Sequence, residues 1–393
     1  MGYMYQAAFD NGNSCVKGIL NAEDGTVTKV KQKTIVSSIL TTPTFAETSI
    51  ENAVANLMDN MIVYINSKAI KKIGLFAVGE KANTVGDPRN MNIRIGKKHK
   101  DDIPVVMSLS IIAATAVQEA YRTSKELPRE IEVSVDYSSA LPATEFSPET
   151  AKDFEKRFLN DVHMVSIYVT STPINVNIKF NRVKITQEGN PAVFAIVAGD
   201  SSILNEFNSR YDGEFVNSDF QYKKMLNVDI GDGTTEFIYT VNGKPQTDLC
   251  VGERMGVGHA ADNALKLFKQ TINADITMNR QQFMNAVLDE SHNFHVEALY
   301  SMKQANIAQS QAILEKVEEM YLNKLQGDVN VITVFGGGAA AFKDSLQEEL
   351  VEFANSMNCQ VLWIPNKKAP YINVTGLDFL NKKLFFKQPQ KVK

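Results

Sequence analysis

One pattern of strands and turns occurs twice in this sequence, near its start and past its middle. The first copy has strands separated by an acidic glycine turn and by Asp24-Gly25, at Met4–Phe9, Cys15–Leu20 and Val27–Ser37. The second copy has the turns Asp229–Gly233 and Asn242-Gly243, with strands at Met225–Val228 and Thr235–Val241 and a further strand after them. Asp-Gly and Asn-Gly between alternating apolar residues predict hairpins. The spacing from the first aspartate to the second turn nearly agrees, 24 − 10 = 14 against 242 − 229 = 13, so we expect two halves built on one plan.

A third glycine-rich turn lies late in the chain. Gly336, Gly337 and Gly338 stand between the β-branched run Val329–Phe335 and an Ala-rich amphipathic helix. The N-terminus of a helix offers backbone N–H groups and a positive dipole end, and glycine lets a phosphate or a purine approach the backbone. The turn lacks the Lys-Ser/Thr of a P-loop and the spacing of a dinucleotide fingerprint, so those two classes are disfavoured.

Composition limits the class of protein. At 393 residues the chain exceeds what one hydrophobic core usually holds, so we expect two or more domains. Hydrophobic residues make up 44% and charged residues 22%, as in an ordinary globular protein. The formal net charge of −4 provides no overall positive field, so we expect no direct binding of nucleic acid.

The cysteines and the apolar segments indicate the compartment. Cys15, Cys250 and Cys359 fit neither a disulfide framework nor a paired metal motif, and the N-terminus has no export signal. The most apolar window, Ile103–Ala120, contains a proline and several polar residues, so we expect a buried core helix there. These features favour a cytoplasmic protein without membrane contact.

The two acidic turns have a chemical reading. If the halves face each other across a cleft, the N–H groups of both turns wrap a polyphosphate, and Asp10 and Asp229 hold a hydrated magnesium ion. Lys17, on the strand leaving the first turn, neutralises phosphate charge. Two aspartates in one cleft are tolerated only when that cation is present.

The three turns carry a family resemblance. "FDNGNSCVKG" resembles the first phosphate loop of the actin superfamily, "NVDIGDGTTEF" its second phosphate loop and "VFGGGAAAF" its adenosine motif, in the family's order. The whole is most similar to bacterial actin-like plasmid-segregation proteins of the ParM and Alp types. Supporting stretches are "FAVGEKA", "KHKDDIPVVMSLSIIAATA", "SSALPATEFSPE" and "PYINVTGLDFL".

The resemblance assigns roles to individual residues. Asp10 and Asp229 are implied to hold magnesium through water, and Glu145 to position the attacking water. The implied nucleotide-binding residues come from all three loops: Asp10, Asn11, Gly12, Asn13, Lys17, Gly231, Asp232, Gly233, Thr234, Thr235, Gly336, Gly337, Gly338 and Ala339. At Asp232 the sequence departs from ParM-type relatives, which often have glycine there. Without the resemblance, the sequence around Glu145 predicts a solvated loop residue.

The resemblance also implies a fold and a function. The expected fold is α/β and actin-like, with two related domains of mixed sheet flanked by helices and a nucleotide cleft between them. Domain I is residues 1–162 plus 374–393, and domain II is residues 163–373. The expected activity is that of an ATPase that binds Mg²⁺ and ATP, with GTP left open. The protein would polymerise with itself into dynamic filaments and segregate plasmid DNA through a DNA-bound adaptor of the ParR type.

Two other functions stay open. A small-molecule kinase of the sugar or acetate kinase type shares the fold and uses a carboxylate base, a role open to Glu145 or Asp136. A nucleotide-binding scaffold without hydrolysis is the third class. The charged run Lys97–Lys100, followed by two aspartates, predicts a solvated loop, with a filament contact as its alternative.

Overall fold

A computed structural model describes residues 1–42, 44, 49–91, 97–274 and 276–386 of the protein. The chain divides into two compact units. The first unit comprises 1–141, 145–191 and 374–393, and the second comprises 142–144 and 192–373.

The first unit contains one large sheet. Its strands in the described residues are β1 (Gly2–Asn11), β2 (Cys15–Ala22), β3 (Val27–Lys33), β4 (Ile35–Ile39), β5 (Ile62–Asn66), β6 (Gly74–Val78), β7 (Asp87–Asn90), β8 (Glu130–Leu141), β9 (Val162–Tyr168) and β10 (Pro173–Gln187). They lie in the order β3-β2-β1-β8-β10-β9-β5-β6-β4-β7. Strands β1, β8 and β10 are parallel to one another, and the other neighbours are antiparallel.

The predicted strand Val27–Ser37 is two strands. It breaks at Thr34, whose backbone N–H donates to the carbonyl of Ser14 and whose hydroxyl donates to the carbonyl of Gly12. Beyond the break, β4 pairs with β6 and β7 instead of continuing beside β2. The prediction of one strand was wrong because these hydrogen bonds tie Thr34 to the first turn and redirect the chain.

Helices cover the first sheet and form its core with it. They are α1 (Ile50–Ala55), α2 (Ile103–Ser124) and α3 (Pro148–Leu159). Among the described residues, α2 is the one helix whose length and composition suit a membrane span, but 89% of its apolar window is buried inside the protein. The buried core helix expected at Ile103–Ala120 is therefore confirmed.

The first unit extends further along the chain than predicted. The predicted second domain, 163–373, contains β10 and nearly all of β9, yet β10 pairs with β8 along most of its length and β9 pairs with β5. The division therefore falls at residue 191 and not at residue 162. The chain changes unit within two helices, α4 (Asn190–Ala198) and later α10 (Ile372–Leu380).

The second unit has a smaller mixed sheet. Its strands are β11 (Met225–Ile230), β12 (Thr235–Val241), β13 (Lys244–Pro245), β14 (Val251–Glu253), β15 (Val331–Phe335) and β16 (Gln360–Trp363). Their order is β13-β12-β11-β15-β16, with β14 beside β12. The helices within this unit are α5 (Asn205–Arg210), α6 (Val257–Thr271), α7 (Arg280–Leu288), α8 (His295–Glu319) and α9 (Ala339–Ser356).

The internal repeat predicted from the turns is confirmed by the pairing of the strands. The series β3-β2-β1-β8-β10 and the series β13-β12-β11-β15-β16 share two antiparallel pairs followed by two parallel pairs. The first hairpins also share a register. Asp10 pairs with Lys17 and Asp229 pairs with Glu236, so the partner follows by 17 − 10 = 7 and 236 − 229 = 7 residues.

Candidate functional site

The first loop is a tight turn between β1 and β2. Gly12 has to be glycine, because a Cβ there would lie 2.7 Å from the carbonyl oxygen of Cys15. Thr34 holds the turn from the side, since its hydroxyl lies 2.7 Å from the carbonyl oxygen of Gly12. The loop is therefore a preformed backbone structure held by its neighbours.

Two predicted residues of this loop form a cross-strand ion pair. Asp10 is the second-last residue of β1, and Lys17 lies directly opposite on β2. Lys17 Nζ is 3.4 Å from Asp10 Oδ2, and the two side chains are only 12% and 11% exposed. Opposite charges at directly paired positions stabilise a sheet, and partial burial strengthens their attraction. The pair puts one cation and one carboxylate at the base of the first loop.

Asn11, a predicted nucleotide ligand, has its side chain inside the first unit. Its amide donates to the hydroxyl of Tyr137 at 2.9 Å and to that of Ser139 at 3.0 Å, and the residue is fully buried. Buried polar groups are normally hydrogen-bonded in this way. The side chain of Asn11 thus joins β1 to β8, and only its backbone remains as a candidate ligand.

Glu145 lies in a loop that hydrogen bonds fix in place, and its side chain is not solvated as the local sequence predicts. Its Oε1 accepts the backbone N–H of Lys97 at 2.5 Å, and its Oε2 lies 3.2 Å from Nδ1 of His99. Its backbone carbonyl accepts the hydroxyl of Thr150, which belongs to the capping box that begins α3. The side chain is 12% exposed. Glu145 is thus an oriented carboxylate of the first unit.

The charged run Lys97–Lys100 is only in part the solvated loop that its composition predicts, since Lys97 and Lys100 are exposed but Lys98 is buried. Lys98 is 6% exposed and its Nζ lies 2.5 Å from Oε1 of Glu188, which follows β10. Burial disfavours the ammonium form, but the carboxylates of Glu188 and Asp10 outweigh it, so the pKa of Lys98 is raised. The prediction was wrong for Lys98 because the carboxylate that balances it is 90 residues away in the sequence.

The second loop lies in the second unit and packs on the start of α6. Gly231 donates its N–H to the carbonyl of Thr234 at 2.8 Å, which closes the turn. The first N–H groups of α6, at Val257 and Gly258, donate to the carbonyls of Gly231 and Asp232. A Cβ on Gly256 would lie 2.2 Å from the carbonyl oxygen of Asp232, so this helix can approach the loop only through glycine.

Side chains also hold the second loop. Asp232 Oδ2 lies 3.5 Å from a guanidinium nitrogen of Arg280, the first residue of α7. Asp229 Oδ2 accepts the amide of Asn373 at 2.6 Å. Thr235 is fully buried and its hydroxyl donates to the carbonyl of Met255. Of the predicted ligands, Thr235 therefore has a structural side chain, whereas Asp229 and Asp232 are acidic groups fixed by neighbouring polar side chains.

The triple glycine lies beside the second loop. Strands β11 and β15 are parallel, and Asp229 pairs with Phe335, the residue before Gly336. Gly336 has φ of +99°, and a Cβ there would lie 2.4 Å from Oδ1 of Asp229. Gly338 donates its N–H to the carbonyl of Ile230 at 2.7 Å, and α9 begins at the next residue. These two glycines are required by close packing of the two loops, a reason that local sequence does not reveal.

Asp136, considered as a kinase base, is unsuited to that role. It is 1% exposed and forms a two-point ion pair with the guanidinium of Arg182. A buried carboxylate whose two oxygens both accept from one guanidinium is held away from an acceptor hydroxyl. Of the two carboxylates considered as a kinase base, Glu145 is therefore the remaining candidate.

Comparisons with known proteins agree on the architecture. A model of the C-terminal part of MreB-like archaeal actin homologues matches residues 227–348. The solved structure of the actin-like protein Alp7A covers 97% of this chain and 96% of its own, at a TM-score of 0.70 and 18% identity. The chain has the actin-like fold. The predicted fold class, mixed α/β with two sheets flanked by helices, is confirmed.

Two further solved structures resemble this actin-like chain. ParM of Bacillus thuringiensis, solved with ATP, aligns over 96% of this chain and 98% of its own, at a TM-score of 0.63 and 15% identity. The archaeal actin homologue Ta0583 aligns over 95% and 98%, at a TM-score of 0.62 and 14% identity. No match was found among curated protein sequences.

The acidic groups of this actin-like chain suit a magnesium ion that is held only in part by protein. Within the described ranges, no group of three or more His, Cys, Asp or Glu side chains is arranged to bind a metal. Magnesium commonly keeps several waters and takes one or two carboxylates together with phosphate oxygens. Asp10 in the first unit and Asp229 in the second each offer one carboxylate near the end of a strand before a glycine turn.

Sequence reasoning missed several residues around these loops. Lys98, His99 and Glu188 surround Glu145 in the first unit, and Gly256 and Arg280 hold the second loop. The sequence feature that came closest to indicating these residues is the run of Lys and His placed directly before two aspartates and a helix. Nothing in that run indicates a carboxylate partner elsewhere in the chain.

Proposed function

We propose that this chain is an actin-like ATPase that binds ATP and magnesium, polymerises into dynamic filaments and uses hydrolysis to segregate plasmid DNA through a DNA-bound adaptor. The observation that carries the proposal is the matched register of the two hairpins, with Asp10 and Asp229 at equivalent positions before a glycine turn. A hairpin repeated to this detail gives each unit the same kind of glycine turn, which supports a polyphosphate as the ligand. The structure solved for ParM of Bacillus thuringiensis contains ATP, which supports ATP as that ligand here.

The residues suggest how the polyphosphate is bound. Backbone N–H groups of the two turns are the donors suited to phosphate oxygens, because short glycine turns present successive N–H groups on one side. Lys17 adds a positive charge beside Asp10. A bound magnesium ion would neutralise phosphate charge, and Asp10 and Asp229 are the residues that would hold it through water.

The hydrolytic step is assigned to water oriented by Glu145. The water oxygen attacks the γ-phosphorus, the bond from that phosphorus to the β,γ-bridging oxygen breaks, and ADP and phosphate are the products. The proton lost by the water passes to the Glu145 carboxylate. Phosphoryl transfer requires little covalent assistance, so holding this carboxylate in place is a sizeable part of catalysis.

Filament formation and DNA segregation extend the proposal beyond the site. Alp7A and the B. thuringiensis ParM share the fold with this chain over nearly their full lengths. This shared actin-like fold supports the assembly of the chain into filaments. The net charge of −4 favours an adaptor protein over direct contact with DNA. Nucleotide state would then shift the chain between conformations that differ in their affinity for the next subunit.

The test combines assembly and hydrolysis. The purified protein is followed by sedimentation and light scattering with Mg-ATP, Mg-GTP, Mg-ADP or no nucleotide, while phosphate release is recorded in parallel. We expect pelleting that needs a nucleoside triphosphate and is lost as phosphate appears. A protein that binds ATP yet stays unassembled at every concentration contradicts the proposal. Transfer of phosphate to an added hydroxyl compound or carboxylate would favour the kinase function instead.

A further inference from the structure

We propose that the segment Lys97–Asp102, called here the holding segment, positions the Glu145 carboxylate, and that His99 is its positioning residue. This inference rests on the proposed function, because it concerns the residue assigned to orient water. It adds residues to the site that neither composition nor local pattern assigned to it.

Both oxygens of Glu145 are held from this one segment. Oε1 accepts the N–H of Lys97 and Oε2 lies within hydrogen-bond distance of Nδ1 of His99. Lys97 has φ of +71°, a left-handed conformation that is uncommon for a residue with a side chain. Such a conformation persists where surrounding contacts require it. Two-point contact restricts rotation of the carboxylate, which is the requirement for orienting a water molecule.

The holding segment is itself anchored to the rest of the first unit through four of its residues. The buried ion pair of Lys98 with Glu188 ties it to the end of β10. Arg157 on α3 donates to the carbonyls of His99 at 2.9 Å and Asp101 at 2.6 Å. The same guanidinium lies 2.6 Å from Oδ1 of Asp102.

These anchors make the segment a rigid support. Arg157 also donates to the carbonyl of Ala69, and its neighbour Phe158 lies fully buried in the aromatic core. Bonds from one guanidinium to several carbonyls fix a backbone more tightly than a single side-chain contact. The position of His99 is thus set by the core of the first unit, and through His99 and Lys97 so is that of Glu145.

The inference predicts a specific kinetic signature. Because the segment acts through Glu145, loss of the His99 contact slows hydrolysis while nucleotide affinity changes by less than about twofold. His99→Ala should lower the single-turnover rate of hydrolysis by about tenfold, since a hydrogen bond to a charged group is lost. His99→Asn should restore most of that rate, because the amide nitrogen of Asn occupies the position of Nδ1.

The experiment measures hydrolysis, affinity and assembly on the full chain. Single-turnover phosphate release is recorded at equal polymer mass, and affinity is measured with a fluorescent ATP analogue. Lys152→Ala, an exposed lysine on α3 outside the holding segment, is the control and should leave all three unchanged. Circular dichroism and thermal unfolding show whether each variant is folded. A folded His99→Ala with a normal hydrolysis rate overturns the inference.

A double-mutant cycle separates this inference from the proposed function. In a Glu145→Gln background, His99→Ala should slow hydrolysis no further, because its effect passes through the carboxylate already removed. If the two substitutions slow hydrolysis independently, so that their fold-changes in rate multiply, the positioning role is overturned. If Glu145→Gln alone leaves hydrolysis unchanged, the assignment of Glu145 fails and the inference falls with it. If Glu145→Gln slows hydrolysis and His99→Ala does not, the inference alone fails.

Discussion

Asp10 and Lys17 face each other on neighbouring strands, with 3.4 Å between Oδ2 and Nζ. The equivalent positions in the second unit are Asp229 and Glu236, where the residue facing the aspartate is acidic. The two hairpins are thus alike in backbone but opposite in the charge that faces their aspartate. Only the first carries a cation suited to phosphate at this register.

The first prediction concerns that cation. Lys17→Met removes the charge while keeping the length of the side chain, and we expect the Kd for ATP to rise by about tenfold or more, because a charge-assisted contact to phosphate is lost. Equilibrium binding of a fluorescent ATP analogue is the measurement. Lys29→Met, on an exposed position of β3, is the control and should bind normally. Equal affinities for both variants and the unchanged protein would remove Lys17 from the site.

The second prediction concerns the crowded glycine of the third loop. Gly336→Ala should lower the free energy of unfolding by about 2–5 kcal/mol, because it adds both left-handed strain and a collision with Asp229. Gly243→Ala provides the comparison, since Gly243 also has positive φ but open space around it. It should cost about 1–2 kcal/mol. Urea unfolding of both variants measures the difference, and equal costs would show that the loops tolerate the added methyl group.

The third prediction concerns pH and a buried histidine. His163 is fully buried, and its Nδ1 and Nε2 lie near the hydroxyl of Ser67 and the carbonyl of Phe158, at 2.6 Å and 2.8 Å. Burial lowers the pKa of His163, although the Phe158 carbonyl and the Asp161 carboxylate oppose the shift. Its neutral form therefore stabilises the fold above its ordinary pKa of about 6.5, and that contribution is lost as the pH falls below this value.

A variant isolates this histidine from other acid-sensitive groups. His163→Asn is expected to be less stable at pH 7 but to lose less stability between about pH 6.5 and pH 5 than the unchanged protein. The check is urea unfolding at a series of pH values. Parallel pH profiles for the two proteins would mean that His163 does not contribute to acid sensitivity.

The fourth prediction compares a buried and an exposed ion pair. Arg182→Met removes the guanidinium from Asp136, whose carboxylate is almost fully buried, and should destabilise the protein by about 1–3 kcal/mol. Arg210→Met removes a comparable two-point contact to the exposed carboxylate of Glu348, and should cost less than about 1 kcal/mol. Thermal unfolding distinguishes the two. A cost for Arg182→Met no greater than that for Arg210→Met would contradict the assigned role of burial.

Local pattern predicted much of the fold because hairpins are encoded locally. Turns such as Asn242-Gly243 require left-handed backbone, and both residues have positive φ here. The predicted strand Thr235–Val241 and the helix after the triple glycine are found in the structure, and the repeat is confirmed by the strand register. The boundary at residue 162 was wrong because pairing of β10 with β8 is a long-range choice.

By itself the sequence determined the two acidic hairpin turns, the Asp24-Gly25 and Asn242-Gly243 turns and the order of the three glycine loops, since each follows from residues close together in the chain. Tertiary structure alone decided which charges meet. Lys98 contacts Glu188, which is 90 residues away in the sequence, and Glu145 contacts His99, which is 46 residues away. A charged side chain in water has no preferred partner, and only burial makes one pairing much better than the others. The support around Glu145 therefore became visible only once the chain was folded.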